Sequence, residues 1–415
     1  MELPMNTHQD RMEPTLAERL AQSALQPLKL AGKHLLPIVQ GGMGGGSSAH
    51  RRAGSVAAQG GVGTLSSVDL RRHPPDLMAR IRGLPMDAAH LPETKAAIDW
   101  ANLEAIEREV RSAKALAGGR GLVAINVMRA VAEYASSVKR AMEAGVDAVV
   151  VGAGLPLDLP DLAQDHPDVA LIPILSDARG VQLVVKKWER KKRLPDAIVI
   201  EHPRLAGGHL GAAKIADLGD SRFDFERVIP DVLAFFRSAG IEKDIPLIAA
   251  GGIRTYEDIQ RVQNLGASAV QLGTPFAVTQ ESDASEGFKK VLAEARDEDM
   301  VEFTSVAGLP ARAVNTPWLR NYLRIEDKLQ AVAQVKARCT KAFDCLAQCG
   351  LRDGLKGWGQ FCIDQQLASA LKGDLKTGLF FRGVGALPFG EQIRSVRELM
   401  ERLLTPAELA QAGVA

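Results

Sequence analysis

The chain alternates between short apolar runs ending in small residues and amphipathic stretches of helical period. The apolar runs are Leu35 to Gln40, Val62 to Leu65, Gly121 to Asn126, Asp147 to Val151, Val169 to Ile174, Ala197 to Glu201, Ile245 to Ala250 and Ala267 to Leu272. Helical periodicity fills the gaps at Ser48 to Gln59, Val131 to Ala144, Ala178 to Lys191, Phe223 to Ser238 and Tyr256 to Leu265. Strands that alternate with helices predict a parallel sheet, and eight such units predict an α/β fold of the closed (β/α)8, or TIM, barrel type.

Two stretches depart from that rhythm. Between about residues 68 and 118 the chain makes an excursion: His73-Pro-Pro75 breaks it, and Trp100 to Leu116 reads as a charged amphipathic helix. Beyond about Phe276 only helical patterns are expected, at Ser285 to Arg296, Leu319 to Ala347, Gly359 to Leu371 and Glu391 to Leu404. The expected organisation is an N-terminal extension, 1–34, with one helix from Thr15 to Leu25. A barrel follows over 35–280, then a second, smaller and mostly helical domain over 281–415.

Composition narrows the partners. The 415 residues carry a formal net charge of +1, so no electrostatic footprint favours nucleic acid or an anionic membrane. No apolar run approaches the ~18 residues of a membrane span, and the polar start, Met1 to Arg19, lacks the apolar core of a secretion signal. The expectation is a cytoplasmic protein acting on a small molecule.

Function in a barrel sits where the strands end. Those ends hold Gln40-Gly-Gly-Met43, Asn126, Gly152-Ala-Gly154, Gly207-Gly208, Ala250-Gly-Gly252 and Gly273-Thr274. Small residues let a flat ring approach the backbone, and the loops after the last two strands of a barrel commonly hold phosphate. Each glycine alone would do no more than make a tight turn. Together they describe a cradle for FMN: Gln40, Gly41, Gly42, Met43, Asn126, Gly152, Ala153, Gly154, Gly207, Gly208, Ala250, Gly251, Gly252, Gly273 and Thr274. The run Gly41 to Gly46 lacks the spacing of a nucleotide-binding glycine loop. His209 follows two glycines, is open to a substrate by that spacing, and is the candidate acid or base, with His202 its local competitor. Glu201 is placed to brace the histidine loop.

Five motifs in order carry a resemblance: Pro37-Ile-Val-Gln-Gly-Gly-Met43, Gly152-Ala-Gly-Leu-Pro156, Ala206-Gly-Gly-His-Leu-Gly211, Ile248-Ala-Ala-Gly-Gly-Ile253 and Val270-Gln-Leu-Gly-Thr274. Together, and with Ser305-Val-Ala-Gly-Leu-Pro-Ala-Arg312, they resemble the nitronate monooxygenase (2-nitropropane dioxygenase) family of FMN-dependent barrels, over roughly residues 35 to 315. The resemblance implies a catalytic role for His209 and oxidation of alkyl nitronates by O2 through reduced flavin and a flavosemiquinone. It leaves a homodimer open. The Gln-Gly-Gly-Met form of the first motif is similar to the related flavin-dependent enoyl-ACP reductases. An NAD(P)H-dependent FMN reductase of enoyl-ACP or quinone reductase type is therefore the alternative. Inosine-phosphate dehydrogenases, which share the phosphate loops, need a barrel cysteine, and none precedes Cys339.

All four cysteines fall in one short stretch: Cys339, Cys345, Cys349 and Cys362. Their number and clustering suit a metal ion or an iron–sulfur cluster, while their spacing matches no standard motif of either kind. The other reading is four buried apolar residues on helices. The basic run Lys186-Lys-Trp-Glu-Arg-Lys-Lys-Arg193 reads as a solvated helix end, with docking of an acyl carrier protein or a nucleotide phosphate as the alternative.

Overall fold

A computed structural model of the chain describes residues 15–85, 90–241, 244–335, 339 and 345–411. Eight parallel strands close into a barrel: β1 Ile38–Gln40, β2 Val62–Ser66, β3 Leu122–Met128, β4 Ala148–Gly152, β5 Ala170–Leu175, β6 Ile198–Glu201, β7 Leu247–Ala250 and β8 Ala269–Leu272. Each strand pairs with its neighbours in sequence, and β8 pairs with β1 to close the ring. The β1–β2 ladder is short, with Val39 opposite Val62. Gln40 extends it, because its side-chain amide accepts the Thr64 N–H at 2.8 Å and donates to the Thr64 carbonyl at 3.0 Å.

Side-chain alternation along each strand sorts the residues into layers. Inward positions of the lower layers are aliphatic: Val39, Val62, Leu122, Ala124, Ala148, Val150, Ala170, Ile172, Val199, Ile248 and Ala269 are all buried in one cluster. Leu28, Leu30 and Leu35 join that cluster from a small antiparallel hairpin, Leu28–Leu30 with Lys33–Leu35. The hairpin stops the bottom of the barrel, where the sequence suggested an extension with one helix and no strand. Its turn is Ala31-Gly32, both at positive φ (49° and 72°). The helix before it is shorter than expected, Leu16–Ala21, and starts at a Thr15/Glu18 capping box. Pro37 separates the hairpin from β1, which divides the single strand expected over Leu35 to Gln40.

The excursion after β2 is dominated by one helix, Leu91–Ala117, begun by Pro92 in its first turn and ended by Gly118 at φ 55°. It starts nine residues before the expected helix, because the proline permits a start that the charged pattern conceals.

Residues after β8 are not purely helical. Met300–Thr304 and Pro310–Val314 form an antiparallel hairpin, and the edge of Pro310–Val314 takes up Gly208–His209 as a third strand. Helices Pro317–Ala331 and Ile363–Leu371 follow. The first is shorter than the expected Leu319 to Ala347. Residues 336–338 and 340–344 of that span, like the polar start 1–14, lie outside the described residues.

The C-terminal helix Val396–Leu404 returns to the barrel. It packs between the helix after β1, His50–Ala58, and the helix after β7, Tyr256–Asn264. That is the position of the eighth barrel helix. The chain leaves and re-enters at one point, where the Gln280 N–H donates to the Arg394 carbonyl and the Val396 N–H to Glu281. Residues between about 282 and 393 are thus inserted between β8 and its helix, and they lie across the barrel mouth. No described helix is long and apolar enough to cross a membrane.

Candidate functional site

A cavity of about 280 Å³ opens at the C-terminal ends of the strands. Its floor is the next inward layer above the aliphatic ones: Gly41, Ser66, Asn126, Gly152, Ile174, Glu201 and Gln271. The alternation that buries aliphatic residues below therefore presents small and polar groups above. Its roof comes from the insertion, including Phe288, Leu346, Ile363, Leu367, Leu379 and Phe381.

At one end lie Gly251, Gly252, Gly273 and Thr274. The first two sit at φ 103° and 73°, a region that favours glycine. The backbone N–H groups of Gly251, Gly252 and Gly273 donate to no group among the described residues. Three unpaired amides converging at a strand end suit an anion. Arg254 lines the same end, holds the Val384 carbonyl at 2.7 Å, and makes no ion pair among the described residues. Its charge is available there. A strap of the insertion, Phe381 to Gly385, closes over this end: the Gly383 N–H donates to Thr274 Oγ1 at 3.2 Å. Arg382 is buried in the strap and donates to the Leu292, Gly383 and Gly385 carbonyls at 2.8, 2.7 and 3.2 Å.

The other end suits a flat polar ring. Gly41 and Gly42 bring bare backbone to the cavity, and the Met43 N–H is fixed by Ser48 Oγ at 2.8 Å. Asn126 reaches in from β3. Gln271 lines the cavity, and its Oε1 is buried with no hydrogen-bond partner among the described residues. An orphaned buried acceptor is costly unless a ligand satisfies it. The residues present thus fit FMN: the amides and Arg254 would meet its phosphate, and Gln271 and Asn126 would meet its ring edge.

Of the predicted site residues, Gly41, Gly42, Met43, Asn126, Gly152, Ala153, Gly207, Gly208, His209, Ala250, Gly251, Gly252, Gly273 and Thr274 line this one cavity. Gln40 and Gly154 do not. The Gln40 amide is consumed between β1 and β2, and Gly154, at φ 131°, turns away against Arg129. His202 is buried elsewhere, edge-on to Phe225 and 3.3 Å from Asp224.

His209 is held more firmly than its flanking glycines suggest. It is a strand residue, paired opposite Ala311, and its ring lies 5.6 Å from that of Phe381. Its Nε2 is 3.0 Å from Ser305 Oγ, in the turn of the insertion hairpin. Arg312, buried on the next strand position, donates to the Pro203 and Ala206 carbonyls and to Glu302, which locks the hairpin to the histidine segment. Burial holds the imidazole down at about 4, so it is neutral near pH 7. Glu201 is not a brace: it makes no hydrogen bond among the described residues, and burial raises its carboxyl to about 7. Burial disfavours the charged form of both groups at one cavity, which makes this cavity the candidate active site.

Gln271 and Glu201 were legible from the inward register of β8 and β6. Phe381 and Arg382 carry no local signal, because the insertion alone brings them to the cavity, whereas Ser305 lies in the Ser305–Arg312 stretch that shares in the resemblance.

A family model for nitronate monooxygenase matches residues 28–406. The chain belongs to the nitronate monooxygenase family. It is 26% identical to the probable nitronate monooxygenase of Bacillus subtilis, over 70% of this chain and 79% of that one. The corresponding protein of Staphylococcus saprophyticus is 24% identical, over 71% and 79%. Among solved structures, FabK from Thermotoga maritima superposes with a TM-score of 0.59 at 20% identity, covering 97% of this chain and 98% of that one. Nitroalkane oxidase from Streptomyces ansochromogenes also gives a TM-score of 0.59 at 20% identity, over 91% and 97%. Family membership makes the chain a flavin-dependent oxidoreductase.

Proposed function

We propose that the chain binds FMN and oxidises alkyl nitronates with O2. The observation that carries this reading is a neutral His209 at the rim of a cavity whose far end offers unpaired amides and Arg254 to a phosphate. The bound flavin would supply the redox chemistry. A nitronate is already a carbanion equivalent, so the protein has no demanding proton to remove. His209, oriented by Ser305, holds a nitronate oxygen through its ring nitrogen. Phe381 keeps the ring in place, and the roof of Leu346, Ile363 and Leu379 excludes water and covers the alkyl group. Glu201 in its protonated form places no negative charge beside the anion.

The apolar roof also supports a second reading, NAD(P)H-dependent reduction of an apolar acceptor such as an enoyl thioester or a quinone. Anaerobic titration of the flavin-loaded enzyme separates the two. Bleaching by propane or propionate nitronate and not by NADH or NADPH is expected. Rapid bleaching by either nicotinamide, with none by a nitronate, would overturn the nitronate reading.

A further inference from the structure

The four cysteines form no disulfide, and among the described residues no group of three or more His, Cys, Asp or Glu side chains could hold a metal ion. Glu201 offers more. It ends β6 opposite Ala250 of β7 and lines the cavity. The residue is half-buried, and its carboxyl makes no hydrogen bond among the described residues. Its Oε2 lies 3.6 Å from the point where a Cβ on Gly211 would stand, two residues past His209. The carboxyl therefore sits against the loop that carries the imidazole.

No charged neighbour sets its state. From β5 come Ser176, a neutral hydroxyl, and Asp177, whose carboxylate caps helix Ala178–Glu189 through the Gly180 N–H at 2.7 Å. From β7 come Ala250 and, past its two glycines, Arg254 at the anion end. The segment after β6 brings His202, turned to Phe225, Arg204, paired with Asp224, and His209. The insertion brings Arg312 and Arg382, both donating to backbone carbonyls. Burial alone raises the Glu201 carboxyl, to about 7.

The nitronate reading supplies the substrate already ionised. Its neutral parent, a nitroalkane, must first lose a proton from the α-carbon. Two groups at the cavity could take that proton, and burial separates them. A proton moved to His209 would create an imidazolium beside the new nitronate, two charges where there were none, and enclosed charge is costly. A proton moved to ionised Glu201 only carries one negative charge from the carboxylate to the nitro group. His209, held at about 4 and engaged with Ser305 at 3.0 Å, is also too weak a base near neutral pH, whereas the carboxyl is matched to it.

We infer that Glu201 is a catalytic base: its carboxylate removes the α-proton of a neutral nitroalkane held under the aliphatic roof, so that the chain makes the nitronate it oxidises. The inference rests on the nitronate reading above. In this step the α C–H bond breaks, its electron pair moves into the nitro group, and the proton forms the O–H bond of the Glu201 carboxyl. The carboxyl is then neutral beside the anion, the state that favours nitronate oxidation, and it returns the proton to water once the product leaves.

The test compares 2-nitropropane with preformed propane-2-nitronate on the flavin-loaded full chain. Without oxygen, exchange of the α-hydrogen of 2-nitropropane for solvent deuterium, followed by NMR, should outpace the buffer. With oxygen, turnover of 2-nitropropane should rise with pH through about 7 while turnover of the nitronate falls. Glu201→Gln should cut the ratio of nitroalkane to nitronate turnover by roughly a hundredfold or more, and Glu201→Asp should recover part of that loss. A wild-type ratio in Glu201→Gln, a rise with pH that persists in that variant, or wild-type exchange no faster than the buffer would each overturn the inference. Bleaching of the flavin by preformed nitronate is read alongside in every variant. Bleaching without exchange removes Glu201 as the base and leaves the nitronate reading standing, whereas no bleaching in the wild type overturns both.

Discussion

Gly207→Ala tests the strap over the phosphate end directly. A methyl group at Gly207 would lie 2.6 Å from the Arg382 carbonyl oxygen, with the Arg382 carbonyl carbon and the Gly383 nitrogen closer still. These are backbone atoms and cannot rotate aside. Ordinary contact begins near 3.4 Å, so the strap must move by roughly 1 Å, and overpacking of this kind costs about 1–3 kcal/mol. The displaced segment carries the Gly383 N–H bond to Thr274 and the carbonyl that orients Arg254. FMN affinity should fall by roughly ten- to a hundredfold, since each 1.4 kcal/mol is a factor of ten. The assay is quenching of flavin fluorescence on titration into apoprotein, paired with a thermal melt of the apoprotein. Gly219→Ala is the control: nothing lies within 4 Å of its added methyl, and both readouts should stay at wild type. Gly207→Ala protein that binds FMN within twofold of wild type would refute the strap's role.

The remaining predictions concern charge and the imidazole. His209→Ala should retain flavin and lose roughly 10²- to 10⁴-fold in turnover, and Ser305→Ala, which removes one orienting hydrogen bond, roughly fivefold. Because burial holds His209 at about 4, its titration should leave no limb in a pH–rate profile between 5 and 9. Glu201, raised to about 7, should give a descending limb there with preformed nitronate, as its ionised form repels the anion, and Glu201→Gln should flatten it. The same shift predicts a stability effect: the folded state binds the proton more tightly than the unfolded chain, so wild type loses stability as pH rises from about 4.5 to 7, and Glu201→Gln does not. Arg254→Ala should weaken FMN while leaving riboflavin, which has no phosphate, bound as before. Equal weakening of both would place the arginine elsewhere in the site.

The barrel was readable because its strands are short apolar runs that stop at glycines, and the observed strands fall within about two residues of most expected limits. The hairpin Leu28–Leu35 was hidden because each arm is three residues long and gains its apolar neighbours only from the barrel floor. The barrel contacts of the C-terminal helix were hidden for a different reason. Its amphipathic pattern was plain, but nothing local tells a helix that its partners lie more than a hundred residues back. The rim glycines were found as a set, and Gln40 was misplaced among them because a polar residue ending a strand looks like a ligand until its ladder is known.

This division assigns the two halves of the site to different parts of the chain. The barrel supplies backbone amides, glycines and the floor groups Gln271 and Asn126, which suit a cofactor and say little about what meets it. Ser305, Phe381 and the aliphatic roof come from the insertion. On the proposed reading, the rim motifs that carry the family resemblance meet the flavin, and the insertion meets the substrate. His209 belongs to both: its residue lies on the barrel's sixth loop, but its strand partner, its hydrogen bond and its ring contact are all inserted residues. A relative that keeps the Gly-Gly-His motif but replaces the segment holding Ser305 and Phe381 should bind flavin equally well and act on a different substrate.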